Sequence, residues 1–366
     1  MSVGLRDVTI REGAQMPGRT YDVAARVAAG RVLDRLGLDA IQAGFPAVGE
    51  TDRTAVHRLA DDPAVDADVA ALARARTGDV DAALDAGADV VEVMIPTSAR
   101  QLEHVLGVPR ERAVEMAGEA LDHARDGGAD VHLTLVDGFR TDPAHLAETF
   151  EAFPALPTIT VADTVGARTP DGVRDHLGSL RARGVDVSRL GVHFHDDLGV
   201  ATANTLAAVD CGVASADVSV ASIGERAGNA ALEQVVVADA VSEGDAFGVD
   251  RAELVPACRA ALDALDESVD SRTPVLGEAV TTHESGIHTA AMLRDPGTFE
   301  PFDPAAFGGE RRLVFGAGSG RGSARALLER AGVDPTEERV TRLLDLLAER
   351  GPMDAAAATD LVRETF

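Results

Sequence analysis

Two histidines in the stretch Gly191–Gly199 (G-V-H-F-H-D-D-L-G), His193 and His195, are the residues best suited to chemistry in this chain. Arg189–Phe194 reads as a short buried strand and Asp196–Gly199 as the turn after it. Side chains two positions apart on a strand project to the same side, so both imidazoles would converge at the strand's C-terminal end. Imidazole is a common ligand for divalent metals and also a common polar group at a barrel mouth, and H-x-H alone leaves both readings open. A second reactive stretch is Thr9–Gln15 (T-I-R-E-G-A-Q), where Arg11 and Glu12 adjoin a glycine turn. Alone they would read as a surface ion pair. Beside the histidines, Glu12 is the carboxylate that completes a two-His-one-carboxylate site with open positions, suited to Mg²⁺, Mn²⁺ or Zn²⁺.

Apolar, β-rich runs alternate with Ala/Leu/Arg-rich helical stretches along the first two thirds of the chain. Strands are expected at Val8–Ile10, Ala40–Ala43, Ala67–Ala73, Val90–Ile95, Val131–Val136, Thr158–Ala162, Leu190–Phe194 and Val218–Ile223. Helices are expected between them, for example at Val23–Leu36, Val80–Ala86, Arg110–Arg125, Pro170–Arg183 and Ala201–Cys211. Eight strands with helical crossovers in about 245 residues point to an α/β chain folded as a (β/α)8 TIM barrel, whose chemistry sits at the C-terminal strand ends. A doubly wound sheet is the alternative, but no Gly-x-Gly-x-x-Gly fingerprint follows the first strand. The rhythm changes beyond Asp245, so residues 1–245 are read as the barrel and 246–366 as a smaller α-rich C-terminal extension. Its glycine-rich Gly316–Gly322 precedes a helix and reads either as a phosphate cradle or as a flexible loop.

Composition removes several functions. Among the 366 residues are 61 acidic against 34 basic ones, a formal charge of −27, which argues against binding nucleic acid or an anionic membrane. No residue is lysine, so Schiff-base chemistry and pyridoxal phosphate attachment through a lysine are both closed. Cys211 and Cys258 are the only cysteines, too few for a disulfide framework and too far apart for a zinc knuckle. No apolar run is long enough to span a bilayer and the N-terminus has no signal-like pattern, so the cytoplasm is the expected compartment.

Four motifs then carry a family resemblance. Asp7–Gln15 (D-V-T-I-R-E-G-A-Q), His193–Asn204 (H-F-H-D-D-L-G-V-A-T-A-N), Gly224–Ala230 (G-E-R-A-G-N-A) and His283–His288 (H-E-S-G-I-H) resemble, in order, signatures of the isopropylmalate, homocitrate and citramalate synthases. The resemblance implies a metal-dependent Claisen condensation of acetyl-CoA with a 2-oxo acid, followed by thioester hydrolysis. It implies Glu12, His193 and His195 as metal ligands, with Asn229 as an auxiliary one. Arg11 is implied to stabilise the developing alkoxide, Gln15 and Thr164 to contact substrate, and His288, or alternatively His283, to act as base. A homodimer follows by the same analogy.

The pattern is not complete. Val136 stands before Asp137 where the family commonly carries Glu-Asp, Gln101 lies near the place of a usual histidine, and Ala14 replaces a usual Glu. The single tyrosine, Tyr21, cannot supply a tyrosine in the extension. Gly44-Phe45-Pro46 resembles isopropylmalate and citramalate synthases, and the resemblance implies that Phe45, where homocitrate synthases tend to carry histidine, contacts the substrate's distal end and favours a monocarboxylic 2-oxo acid, whereas Glu12 in place of Asp is the choice typical of homocitrate synthases. The chain ends about where the family's catalytic extension does, which leaves no room for a leucine-sensing domain. The alternatives are a hydroxymethylglutaryl-CoA-lyase-like retro-aldol lyase and a catalytically altered paralogue that keeps the metal site. Lyases of that type rely on a cysteine in a glycine-rich loop, which neither cysteine here occupies.

The lysine-free acidic surface also suits a salt-rich cytoplasm, where screening relieves self-repulsion. Thermal stability and activity are therefore expected to rise together as KCl is increased from dilute buffer to molar concentration. Full activity without added salt would contradict this halophilic reading.

Overall fold

The computed structural model describes residues 2–242 and 244–366. Eight parallel strands close into a barrel in sequence order: β1 Gly4–Asp7, β2 Ala40–Gly44, β3 Asp68–Arg74, β4 Val90–Pro96, β5 Asp130–Val136, β6 Ile159–Asp163, β7 Leu190–Phe194 and β8 Ser215–Val218. Helices such as Val23–Asp34, Thr77–Asp85, Arg110–Asp126, Pro170–Arg181 and Ala201–Asp210 connect them. The period of two sorts each strand's side chains. Leu5, Ile41, Val91, Val93, Leu133, Leu135, Val161, Val192 and Phe194 are buried in the apolar layer. Arg6, Gln42, Glu92, His132, Thr134, Thr160, His193 and Asp217 alternate with them and meet one another inside the barrel. Branched apolar residues usually fill such a lumen. Here it is polar, and most of these groups bond to one another.

Two strands are displaced from their expected positions. Val8–Ile10 looks like a strand by β-branching, yet β1 ends at Asp7 and Thr9–Gly13 forms a helical turn. The Asp7 carboxylate accepts hydrogen bonds from the Thr9 amide at 2.9 Å and the Thr9 hydroxyl at 2.7 Å, a local turn that outcompetes strand pairing. Val218–Ile223 likewise contributes only Val218 to β8. Ala221 and Ser222 have φ of 50° and 61°, and this left-handed step is pinned where Glu233 accepts the Ala221 amide at 3.0 Å and Thr9 Oγ1 accepts the Val220 amide at 2.9 Å.

One compact unit ends at Ser268 and a second begins at Val269, later than the composition change at Asp245, because helix Leu254–Ala264 packs on Val23–Asp34. The second unit has its own core of Phe315, Leu327, Leu328, Val340, Leu343, Leu347 and Val362. Helices Arg321–Arg330, Glu337–Arg350 and Ala355–Thr365 supply most of it, with a small sheet of β9 Thr282–His283, β10 Arg312–Phe315 and β11 Met353–Asp354. Within Gly316–Gly322, Gly320 packs directly on Gly286, where an added Cβ would lie 2.3 Å from the Gly320 nitrogen. That contact gives at least one of these glycines a packing role. No helix among the described residues is long and apolar enough to cross a membrane.

Two carboxyl groups lie in the apolar layer rather than the lumen. Burial pushes Asp7 and Glu233 up to about 7, with hydrogen bonds from Thr9 and the Ala221 amide opposing it. A raised folded-state pKa means the folded chain holds those protons more tightly, so the associated stability is complete near pH 4 and is lost as pH rises toward 7. Glu233→Gln keeps an acceptor for Ala221 and removes the charge. It should raise the unfolding free energy by about 1–3 kcal/mol at about pH 8 and leave it nearly unchanged at about pH 4. Equal denaturant midpoints for the two proteins at the higher pH would contradict this.

Candidate metal centre

His193 is the fourth residue of β7, and His195 follows the strand, bridged through its backbone to Asn229. Glu12 arrives from the helical turn after β1. One ligand atom from each of the three lies within 4.8 Å of the others, and all three residues are buried. His193 Nε2 is 3.3 Å from His195 Nε2 and 3.6 Å from Glu12 Oε1. Burial alone would raise the Glu12 carboxyl, but Arg11, His193 and His195 outweigh it and hold the group down to about 2, ionised at neutral pH. Burial takes His195 down to about 4, assisted by His193 and partly offset by Glu12, so its imidazole is neutral. Ionised carboxylate and neutral imidazole are the protonation states metal ligation requires.

A second circle of buried groups supports this one. His193 Nδ1 lies 3.1 Å from Asp217 Oδ2, and Asp217 Oδ1 lies 3.6 Å from Arg6. Arg6 is paired with Glu92, which accepts from Gln42 Nε2 at 2.6 Å. Gln42 in turn accepts from Arg11 Nε, and Arg11 is paired with Glu12. The circuit therefore closes through β1, β2, β4, β7 and β8. Sequence reasoning missed Arg6, Gln42, Glu92 and Asp217. The available signal was a polar residue recurring at the inward position of otherwise apolar strands, as in V-V-E-V-M and S-A-D-V.

The remaining expected residues fall into three places. Around the centre, Gln15 Oε1 accepts from Arg11 at 3.1 Å, and Asn229 Nδ2 approaches His193 Nε2 at 3.2 Å. Asn229 Oδ1 is buried against Gly224, where a Cβ would sit 2.1 Å away, so only glycine admits the amide there. Elsewhere in the barrel, Thr164 Oγ1 accepts the Asp137 amide at 2.8 Å, leaving its own O–H to donate. Phe45 is buried under the Arg74 guanidinium, 5.5 Å from the ring centroid, and Arg74 is itself bound by Asp79 at 2.6 and 3.0 Å. Asp137 is locked to Arg140 and Ser98, whereas His104, near Gln101, has a side chain 71% exposed. In the second unit, the His288 ring stacks on Phe299 at 4.0 Å and 27°, and His283 lies 6.4 Å from it.

The donor set fits a divalent cation. Two imidazole nitrogens face each other at 3.3 Å beside an ionised carboxylate, and Asn229 Oδ1 has no partner among the described residues. A cation would satisfy both nitrogen lone pairs and the carboxylate together, whereas a single proton can serve only one such contact. Ligation by Asn229 would use Oδ1, which requires its amide to turn from the present orientation.

Comparison with known proteins bears on what this site does. The family described as HMGL-like matches residues 2–291, and the homocitrate synthase post-HMGL domain-like family matches residues 275–351. The homocitrate synthase of Methanopyrus kandleri is 39% identical over 347 residues, spanning 94% of this chain and 87% of that protein. A protein of the same organism named as an (R)-citramalate synthase is 40% identical over 352 residues, 95% of this chain and 69% of its own. A probable 2-isopropylmalate synthase of Ignicoccus hospitalis is 35% identical over 366 residues, 99% and 91% respectively. Among solved structures, the hydroxymethylglutaryl-CoA lyase of Pseudomonas aeruginosa superposes with a TM-score of 0.63 at 27% identity, over 74% of this chain and 96% of that one. The Bacillus subtilis HMG-CoA lyase gives 0.64 at 21% identity over 74% and 96%, a likeness of fold.

Proposed function

This chain belongs to the HMGL-like family and, within it, to the isopropylmalate, homocitrate and citramalate synthases, and we propose that it condenses acetyl-CoA with a monocarboxylic 2-oxo acid. The observation that carries this reading is the buried convergence of Glu12, His193 and His195 with the Arg11 guanidinium bonded to the same Glu12 oxygen that faces His193. Glu12, His193 and His195, with Asn229 as an auxiliary donor, would hold a divalent ion such as Mg²⁺, Mn²⁺ or Zn²⁺. When bound, that ion supplies Lewis-acid polarisation of the keto carbonyl.

The protein's own groups do the rest. Arg11 lies against the metal ligands, where its guanidinium stabilises negative charge growing on the keto oxygen as the new carbon–carbon bond forms. Its bonds to Gln42 and Gln15 fix the plane of the fork before substrate arrives. Thr164 donates its free O–H to the substrate carboxylate, and Gln15 contacts the substrate from beside Arg11. His288, held by its stack on Phe299, takes the methyl proton of acetyl-CoA as general base. Hydrolysis of the thioester then releases the CoA thiol. The enzyme works in the cytoplasm as a homodimer.

Phe45 sets the substrate class. Its ring is apolar, and the neighbouring Arg74 charge is already matched by Asp79, so a second carboxylate of the substrate would find no free cation there. The cysteines weigh against the lyase alternative. Cys258 is buried in helix Leu254–Ala264 and burial pushes its thiol well up, and Cys211 ends helix Ala201–Asp210.

Release of CoA thiol from acetyl-CoA, measured at molar KCl with Mg²⁺ or Mn²⁺, tests the reading with pyruvate, 2-oxoisovalerate and 2-oxoglutarate offered in turn. Turnover is expected with one of the first two, and roughly 100-fold or more below it with 2-oxoglutarate. A preference for 2-oxoglutarate would overturn the monocarboxylic assignment. Silence with all three, or cleavage of hydroxymethylglutaryl-CoA instead, would overturn the synthase assignment.

A further inference from the structure

We infer that Asp217 is a positioning residue for the metal centre: from β8 it holds His193 in the Nδ1–H tautomer, so that Nε2 presents its lone pair to the ion. This rests on the metal-site reading above and adds a group that none of the four sequence motifs contains.

Two contacts on opposite sides of the His193 ring agree on its protonation. At one edge Nδ1 lies 3.1 Å from Asp217 Oδ2, a carboxylate oxygen that accepts, which places the ring proton on Nδ1. At the other edge Nε2 receives the Asn229 amide nitrogen at 3.2 Å, and that same Asn229 nitrogen lies 3.4 Å from the Phe194 carbonyl, which fixes it as the donor end. Nδ1–H with a bare Nε2 is the one neutral form that satisfies both edges. His195 has no such support, since its Nδ1 is buried without a partner among the described residues. Of the two imidazoles, His193 is therefore the one whose orientation and tautomer are set in advance.

The placement of Asp217 is built into the backbone. Gly191 and Val192 pair with Ser215 and Ala216, so the next step of the β7–β8 register sets His193 beside Asp217. On its other flank Asp217 pairs in register with Arg6. Arg6 reaches both Asp217 and Glu92 and touches His132 at 2.8 Å, and this anchors the guanidinium that keeps the Asp217 carboxylate oriented. The bland reading is that Asp217 merely neutralises Arg6. It predicts a change in stability on substitution, with no specific effect on His193 or on metal affinity.

The test uses the full chain at molar KCl. Long-range proton–nitrogen correlation of histidine-labelled, metal-free protein reads the His193 tautomer directly. Mn²⁺ affinity is followed by electron paramagnetic resonance for the native protein, Asp217→Asn and, as a ligand-loss control, His195→Ala. The expected results are Nδ1–H at His193, Mn²⁺ affinity about 10–100-fold weaker in Asp217→Asn at an unchanged far-ultraviolet spectrum, and a larger loss in His195→Ala. Nε2–H at His193 in the native protein, or affinity in Asp217→Asn within twofold of native, would overturn the inference. Should Asp217→Asn not fold, the native tautomer decides. Absence of Mn²⁺ binding by the native protein would instead overturn the metal-site reading, and the tautomer would still decide the role of Asp217.

Discussion

Charge balance inside the barrel is the constraint on which the rest of the structure depends. The lumen circuit holds three carboxyl groups, Glu12, Glu92 and Asp217, against two guanidiniums, Arg6 and Arg11, and all five are buried. Burying an unmatched charge is costly, and removing one partner of such a pair leaves the other stranded. Burial alone would raise Glu92, yet Arg6 and His132 beside it take it well below the ordinary carboxylate range. The circuit thus holds one carboxyl group more than it has guanidiniums. Glu12 is paired with Arg11 and Glu92 with Arg6, so Asp217 shares the Arg6 guanidinium and lies against His193 Nδ1, on the side of the ring away from Glu12 and His195.

Most of the barrel was legible because its signal is periodic. Six of the eight strands lie within a residue or two of their expected limits, and helices such as Arg110–Asp126 and Pro170–Arg181 match their expected positions closely. The misplaced strands failed for a local reason: V-T-I and V-S-V-A-S-I have strand-like composition, but the Asp7 side chain and the Glu233 carboxylate capture nearby backbone amides and turn the chain. The small sheet of the second unit has two strands only two residues long, too short for any period to register. Its final helix, Ala355–Thr365, was also missed.

Legibility of the candidate site followed the same division. Motif residues that share a short stretch, such as His193 and His195, or Arg11 and Glu12, could be read from spacing. Asp217, Arg6 and Glu92 could not, because their roles exist only once distant strands are in register. The departures from the family pattern also acquire physical content. Asp137, without the usual Glu before it, is bonded to Arg140 and Ser98 and so ties down its own loop. Likeness of fold to lyases and of sequence to synthases fits a scaffold whose chemistry is set by groups at the strand ends and loops.

The most direct measurement of the central claim is anomalous scattering from crystals of this protein grown with Mn²⁺. A single strong anomalous peak is expected within bonding distance of Glu12, His193 Nε2 and His195, with His193 Nδ1 still against Asp217. A peak elsewhere, or none at that point in crystals that diffract well, would contradict it.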